Sequence, residues 1–518
     1  MDGHMKEKVV VIVGAGPAGL TAAHELLVRG CAHPVIVEAD TVVGGLSRTV
    51  NIGGNRMDVG GHRFFSKNKD IVRWWLDMMP MQTVPAADGQ GPCVNKTSAV
   101  DAVNPELSDK VMLYRKRFSR IFFLRRFFDY PIRVSFSTFR NLGILRTINV
   151  VTGYIRARIS RRKENSLEDF YINRFGKSLY CLFFEKYTEK VWGKHPSDLD
   201  AGWGSQRVKG LSLFSLLANA FKRKGANNDS VETSLIENFY YPKYGPGQLW
   251  ECVADSIEKK GGKVLLGHRV ENVLVSGNKV VEVRCVNMSG EVLALPCDCL
   301  MSSMPLSELL PQINGMTVPK DVCDIAVSLP YRDFITVGVL LRGNTDRVIS
   351  GVTSRLSDTW IYIQEPDVRA GRLQVFNNWS PYMVVDSSNT LYVGMEYFCN
   401  EGDDLWGMAD SELSKLAVDE LVKMGFATNG DILATNVIRM KKAYPAYHGS
   451  YCSIDAVRSF LDGISNLYCI GRNGQHRYNN MDHSMLTAIK AVDAMQGLCE
   501  KSLIWNVNTE HTYNEEVD

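Results

Sequence analysis

The run Val9-Val10-Val11-Ile12-Val13, followed at once by Gly14-Ala15-Gly16-Pro17-Ala18-Gly19, decides the fold. An unbroken apolar run of this length suits a buried parallel strand, and the Ala- and Leu-rich stretch from Leu20 to about Arg29 suits a helix. Val35–Val37 reads as a second strand and ends in Glu38. Strand, glycine turn, helix, strand and acid within roughly 30 residues is the layout of a dinucleotide-binding βαβ unit. Each residue type has a reason. Gly14 permits the tight turn, Gly16 lets the backbone approach a pyrophosphate, and Gly19 lets helix and strand pack closely. Pro17 and Ala18 complete the loop, the helix N-terminus offers free N–H groups to phosphate, and Glu38 is placed to accept hydrogen bonds from ribose hydroxyls.

Downstream lie Gly44-Gly45-Leu46-Ser47-Arg48 and Asp58-Val59-Gly60-Gly61-His62. A second glycine pair with a Ser and an Arg, about ten residues past the acid, makes another close-approach loop beside the same ligand. This resembles the second glycine motif of the FAD-dependent amine-oxidase superfamily, which includes monoamine oxidases, protoporphyrinogen oxidase, carotenoid desaturases and UDP-galactopyranose mutases. The resemblance implies non-covalent FAD held by the 14–19 loop, Glu38, Gly45, Leu46, Ser47, Arg48, Gly60, Gly61 and His62. On its own, His62 beside paired glycines is able to approach a flat ring, although a lone His more often serves a structural hydrogen bond.

At 518 residues the chain is too long for one ordinary core. A hydrophobic fraction of 45% and a charged fraction of 22% are those of a globular protein. A net charge of +2 provides no global field to recruit nucleic acid or membrane. No uncharged run approaches the ~20 apolar residues of a membrane span, and the N-terminus lacks a signal h-region. The 12 cysteines are scattered, and Cys297-Asp298-Cys299 has no second pair or His at ligand spacing, so no metal site is expected. The expectation is a cytoplasmic protein with reduced thiols. Residues 1–5 resemble a cloning remnant.

Residues 80–111 read as a long insertion or mobile loop. Tyr114–Arg126 interleaves six basic residues with Phe118, Phe122, Phe123 and Leu124, and Arg140 to Lys163 adds a basic helical stretch. A membrane or nucleic-acid arm, an anionic-substrate site and a solvated helix face all remain open here. Residues 166–192 are helical in pattern, a glycine turn enters a helix over 249–259, and 264–270 and 279–285 alternate like strands. The 325–400 segment is β in texture, with a further strand at 431–439. Leu467–Ile470 runs into Gly471-Arg472, and the helix after Asp482 again offers its N-terminus to a cofactor. The tail from Asn506 reads as disordered.

Several blocks, in order over roughly 9–495, resemble the UDP-galactopyranose mutase family, the long eukaryotic form above all. They are Gly60-Gly61-His62-Arg63-Phe64-Phe65-Ser66, Tyr187 to Trp192, Arg207-Val208, Arg372 to Tyr382, Tyr444-Pro445, Gly471 to Tyr478, and Asp482-His483-Ser484. The resemblance implies a diphosphate held between Arg207 and Arg372 and reached by Tyr444 and Tyr478. It further implies His62 near the isoalloxazine, and Tyr187, Trp192 and Trp379 in the substrate pocket. Val270, Gly471, Arg472, Asp482 and Ser484 complete the expected cofactor contacts. Trp379 stands where the family has Tyr, the stretch from Tyr478 to Asp482 is short, and the 80–111 insertion has no counterpart; these departures bear on the sugar and the reaction.

The expected fold is α/β: a Rossmann-like FAD-binding domain from 1–75, 245–320 and 460–500, with inserted helical (76–244) and antiparallel β (321–459) substrate-domain segments and a tail at 501–518. The implied reaction is pyranose–furanose interconversion of a UDP-sugar through a flavin-N5 sugar adduct, with NAD(P)H as candidate reductant and polysaccharide biosynthesis as the setting. A net FAD oxidoreductase acting on a sugar, amine or porphyrinogen is the alternative, and a non-catalytic or membrane-peripheral flavoprotein the third. The sequence leaves the oligomeric state open.

Overall fold

The computed structural model describes residues 8–92, 103–130, 132, 135–199, 201, 238–343, 346–349 and 352–508. Val9–Val13 is the central strand of a parallel sheet ordered Leu467–Cys469, Cys299–Ser302, Val9–Val13, His33–Val37 and Lys263–Leu265. Val10, Val11 and Ile12 are fully buried, because helices and a second sheet cover both faces. Pro17–Val28 is the first helix, starting three residues earlier than the Leu20 read from sequence, with Pro17 at its first turn and Gly16 as N-cap. It packs against the long helices Pro246–Lys259 and Met481–Met495.

A four-stranded sheet follows, ordered Val292–Pro296, Lys279–Asn287, His268–Ser276 and Ile313–Asn314. The 264–270 run, which reads as one strand, is two. Gly267 at φ +67 breaks it, so Lys263–Leu265 joins the parallel sheet and His268–Ser276 the second one. A third sheet of seven strands is ordered Ile432–Pro445, Tyr331–Arg342, Thr390–Cys399, Arg372–Val375, Trp360–Ile363, Ser119–Phe123 and Arg126–Asp129. Helix Asp410–Met424 buries Leu413, Ala417 and Leu421 in the core of this sheet.

The 114–126 stretch is not a helix face, whereas the basic stretch from Arg140 is helical, in Phe136–Leu142 and Ile144–Ile159. Met112–Lys116, Ser119–Phe123 and Arg126–Asp129 are strands, so the described part of 76–244 is β before it is helical. Three of the five arginines in 114–126 are neutralised locally: Arg115 pairs with Asp88 at 2.6 Å, Arg120 with Asp358 at 2.6 Å, and Arg125 with Asp367 at 2.7 Å. The described parts of the 80–111 insertion are anchored at several points, with Gln82, Ala86 and Val111 buried and Gln82 receiving the Tyr114 N–H at 3.0 Å.

Helices Phe136–Leu142, Ile144–Ile159 and Leu167–Phe175 then build an aromatic core around Phe170, Phe175 and Phe183. One stripe of Ile144–Ile159 faces outward, with Ile144 at 79% and Ile159 at 82% exposure and Ile148, Val151 and Ile155 between them. Among the described residues, no helix is long and apolar enough to cross a membrane. The expected tail is ordered through Asn508: Lys501–Asn506 forms a 3-10 helix, Trp505 is buried, and Arg477 donates to the carbonyls of Trp505 and Val507.

Candidate functional site

A cavity of about 1220 Å³ runs from the first glycine loop to the seven-stranded sheet. Gly14 has φ +101, and a Cβ there would lie 2.1 Å from Ser303 Oγ, so the turn requires glycine. A Cβ on Gly19 would lie 1.9 Å from the Gly14 carbonyl, which is the close helix–strand contact. Gly16 differs: its nearest neighbour would be Gly45 Cα at 3.9 Å, and the space beyond opens into the cavity. Two glycines back to back, next to a helix N-terminus, make a groove suited to a pyrophosphate. Glu38 lines the same cavity and accepts the N–H groups of Ala15 at 2.6 Å and Asp40 at 2.9 Å.

Pro17, Ala18, Leu46, Ser47, Arg48 and Val270 line this end as well, and Gly19 lies behind it. Arg48 pairs with Asp40, and its buried Nε has no protein partner. Gly471, at φ +75, sits where a Cβ would meet Ala18 Cβ at 2.9 Å, and its N–H is held by Thr487 Oγ1 at 2.8 Å. Asp482 accepts from Ser66 Oγ at 2.9 Å, and with Ser484 it opens helix Met481–Met495 onto the cavity. The residues fit a flavin dinucleotide, with a glycine groove, the N-terminus of Pro17–Val28 and the N-terminus of Met481–Met495 all opening on the cavity.

Gly60, Gly61 and His62 line the same cavity, Gly61 against Trp360. Burial and the neighbouring Arg472 lower the His62 pKa to about 4, so the ring is neutral near pH 7. Its Nδ1 lies 3.0 Å from the Gly60 carbonyl, an acceptor only, so Nδ1 carries the proton and Nε2 is left as an acceptor.

The seven-stranded sheet supplies the far wall through Trp360, Arg372 and Tyr444. Arg372 Nε donates to Tyr187 Oη at 3.3 Å, and Nη1 pairs with the fully buried Glu396 at 3.4 Å. Burial works against its charge, but Tyr187, Tyr444, Glu396 and Tyr478 outweigh that and hold the guanidinium charged. Tyr444 is aimed by a bulge. Phe334 pairs with Met440 but Arg332 with Tyr444, so the longer strand carries two extra residues, with Lys442 at φ +51. Tyr444 stacks on Tyr478 at 5.6 Å, and the Arg472 guanidinium lies 4.8 Å from the Tyr478 ring. Burial pushes the Tyr444 phenol up to about 12, so it remains a donor.

Trp192 packs edge-on to Tyr444 at 6.3 Å, and Tyr187 reaches the site through Arg372. Trp379 is fully buried against Phe239 and Tyr241, behind the wall rather than on it. Arg207 lies outside the described residues. Sequence reasoning missed Glu396, Trp360 and residues 506–508, which line or brace the cavity; only proximity in the fold reveals them.

A family model described as flavin containing amine oxidoreductase matches residues 17–495. The probable UDP-galactopyranose mutase of Klebsiella pneumoniae is 26% identical over 224 residues, 38% of this chain; the match spans 44% of that protein. Among solved structures, a reduced UDP-galactopyranose mutase superposes with a TM-score of 0.75 at 21% identity, over 97% of this chain and 99% of that one. A putative protoporphyrinogen oxidase from Exiguobacterium sp. 255-15 gives 0.66 at 15%, over 95% and 100%. These structural likenesses are of fold, and they match the α/β architecture expected from the glycine loop. The chain belongs to the flavin-containing amine oxidoreductase family.

Proposed function

We propose that this protein is a flavin-dependent nucleotide-sugar mutase that interconverts pyranose and furanose forms of a UDP-sugar. The observation that carries the reading is the charged Arg372, held at the cavity wall among Tyr187, Tyr444 and Tyr478. A guanidinium with tyrosine hydroxyls is sound chemistry for a diphosphate, and amines, porphyrinogens and carotenoids carry none. The likeness to UDP-galactopyranose mutases supports the same reading.

FAD would be held by the 14–18 loop, Glu38, Gly45–Arg48 and the start of helix Met481–Met495, and when bound and reduced it supplies the nucleophile for ring interconversion. Arg372 and Tyr444 hold the diphosphate after it leaves the anomeric carbon, keeping it in reach for recapture. Neutral His62 offers Nε2 as an acceptor on the cofactor side. The pair Tyr444 and Tyr478 with Trp192 screens this end from water. NAD(P)H would serve only to keep the flavin reduced. A net oxidoreductase, which the description of the family favours, is the second reading.

The test incubates dithionite-reduced protein with a panel of UDP-sugars, and titrates UDP into wild type and Arg372→Ala by calorimetry. We expect new ring isomers without consumption of an electron acceptor. UDP affinity should fall about 10–150-fold in the variant, the worth of a charge-assisted hydrogen bond. Wild-type protein that binds no nucleoside diphosphate at millimolar concentration overturns the mutase reading in favour of the oxidoreductase.

A further inference from the structure

Arg63 follows His62 directly and lines the same cavity, yet neither the dinucleotide groove nor the Arg372 wall uses it. Arg63 is half-buried, and its guanidinium is bordered by three aromatic rings. Its carbon lies 5.5 Å from the Phe239 ring, 5.5 Å from Trp360 and 5.4 Å from Trp379, an aromatic cage that holds a cation by its ring faces. Nη2 donates to Ser119 Oγ at 3.2 Å and Thr359 Oγ1 at 3.3 Å, both neutral. The buried Nε has no acceptor, and Nη1 makes no hydrogen bond within the described residues.

Among the described residues Arg63 forms no salt bridge, whereas Arg115, Arg120 and Arg372, its neighbours in the same region, each have a carboxylate. Burial and the nearby positive charge of Arg117 lower its pKa to about 10, so it stays charged near pH 7 and its charge lacks compensation. A partly buried cation without a counter-ion is costly, and an anionic group on a ligand in the cavity would relieve that cost. The cage is built for this place. A Cβ on Gly61 would lie 2.8 Å from the Trp360 ring, so the glycine beside His62 is what lets Trp360 lie against the backbone and close one side.

Trp360 ties this cation to the diphosphate wall: the Arg372 guanidinium lies 4.8 Å from the same ring. With the diphosphate on Arg372, the part of a nucleotide sugar next to His62 is the sugar itself. On a hexose, the group that brings a full negative charge and matches the flat fork of a guanidinium is a carboxylate. We propose that Arg63 receives the carboxylate of a uronic-acid sugar, making the substrate class a nucleoside-diphosphate uronate. This rests on the nucleotide-sugar reading above.

The experiment titrates UDP, UDP-galactose and UDP-galacturonate into the FAD-loaded full chain, and repeats this with Arg63→Gln and Arg63→Lys. Wild type should bind the uronate about 10–100-fold more tightly than the neutral sugar. Arg63→Gln should erase that preference with UDP affinity unchanged, and Arg63→Lys should keep part of it, an ammonium lacking the planar fork. Wild-type protein that binds UDP but takes the two sugars equally overturns the Arg63 assignment alone, whether or not the variants fold. A preference that survives in Arg63→Gln overturns it too. Failure of UDP itself to bind removes the nucleotide-sugar reading and this inference with it.

Discussion

Gly16 and Gly19 sit one helical turn apart in the same loop, and adding one methyl group to each should have opposite consequences. At Gly19 the new Cβ would lie 1.9 Å from the Gly14 carbonyl oxygen and 3.2 Å from Ile12 Cγ2. A carbon–oxygen contact closes at about 3.3 Å, so helix Pro17–Val28 must withdraw from the central strand by more than an ångström. Because the obstacle is backbone, Gly19→Ala should cost about 1–3 kcal/mol in the apoprotein, as overpacked cores do. At Gly16 the nearest atom would be 3.9 Å away, and the only penalty is an N-cap change of up to about 1 kcal/mol. The methyl group then occupies the space left for the pyrophosphate. Losing one charge-assisted N–H contact there, worth roughly 1.5–3 kcal/mol, should weaken FAD binding ~10–150-fold. The assay pairs urea melts of the two apoproteins with fluorescence titration of FAD. A Gly16→Ala protein that binds FAD like wild type, or a Gly19→Ala apoprotein that melts like wild type, would refute the reasoning.

Asp58 is fully buried, and burial raises its pKa from 3.8 to about 7 despite hydroxyl donors from Tyr241 and Thr49. The folded state therefore keeps a proton that the unfolded chain has lost, so this group's contribution falls by up to about 4 kcal/mol as pH rises from 4 to 7. Asp58→Asn should flatten that slope in urea midpoints, and identical slopes would contradict the assignment. His62 acts in the opposite sense: its pKa falls from 6.5 to about 4, so stability is lost on acidification between those values, by about 3 kcal/mol, and His62→Gln should remove the loss. Ile148→Ser with Ile155→Ser should lower the unfolding free energy by no more than about 0.5 kcal/mol each, since both side chains already face outward; a larger loss would place that helix face in a core.

The strand–glycine turn–helix unit was legible because its determinants are local. Val9 to Glu38 carries strand, turn and helix in one short run, and Gly14 and Gly19 meet each other across five residues. The ligand end depends on distance in sequence. Arg63 and Trp360 are brought together by a sheet that pairs Ser119–Phe123 with Trp360–Ile363, and no spacing rule predicts that pairing. The 114–126 stretch misleads for the same reason: its arginines look like a charged face until Asp88, Asp358 and Asp367 arrive from elsewhere. Lys263–Val270 misleads differently, since Gly267 lies inside an alternating run and only its positive φ reveals the break.

The bulge before Tyr444 has a mechanical side. The carbonyls of Lys442, Ala443 and Ala446 receive Asn473 Nδ2 at 3.1 Å, Arg472 Nη1 at 2.9 Å and His476 Nε2 at 3.1 Å. Asp333 fixes the bulge from behind by accepting the Lys442 N–H at 2.5 Å. The edge of the seven-stranded sheet is thus riveted to the turn that follows the parallel sheet, at the far wall of the cavity. Prying the two sheets apart along this line would break all three rivets at once and bare their buried acceptors. The Tyr444 end of the cavity is therefore fastened to both sheets at once.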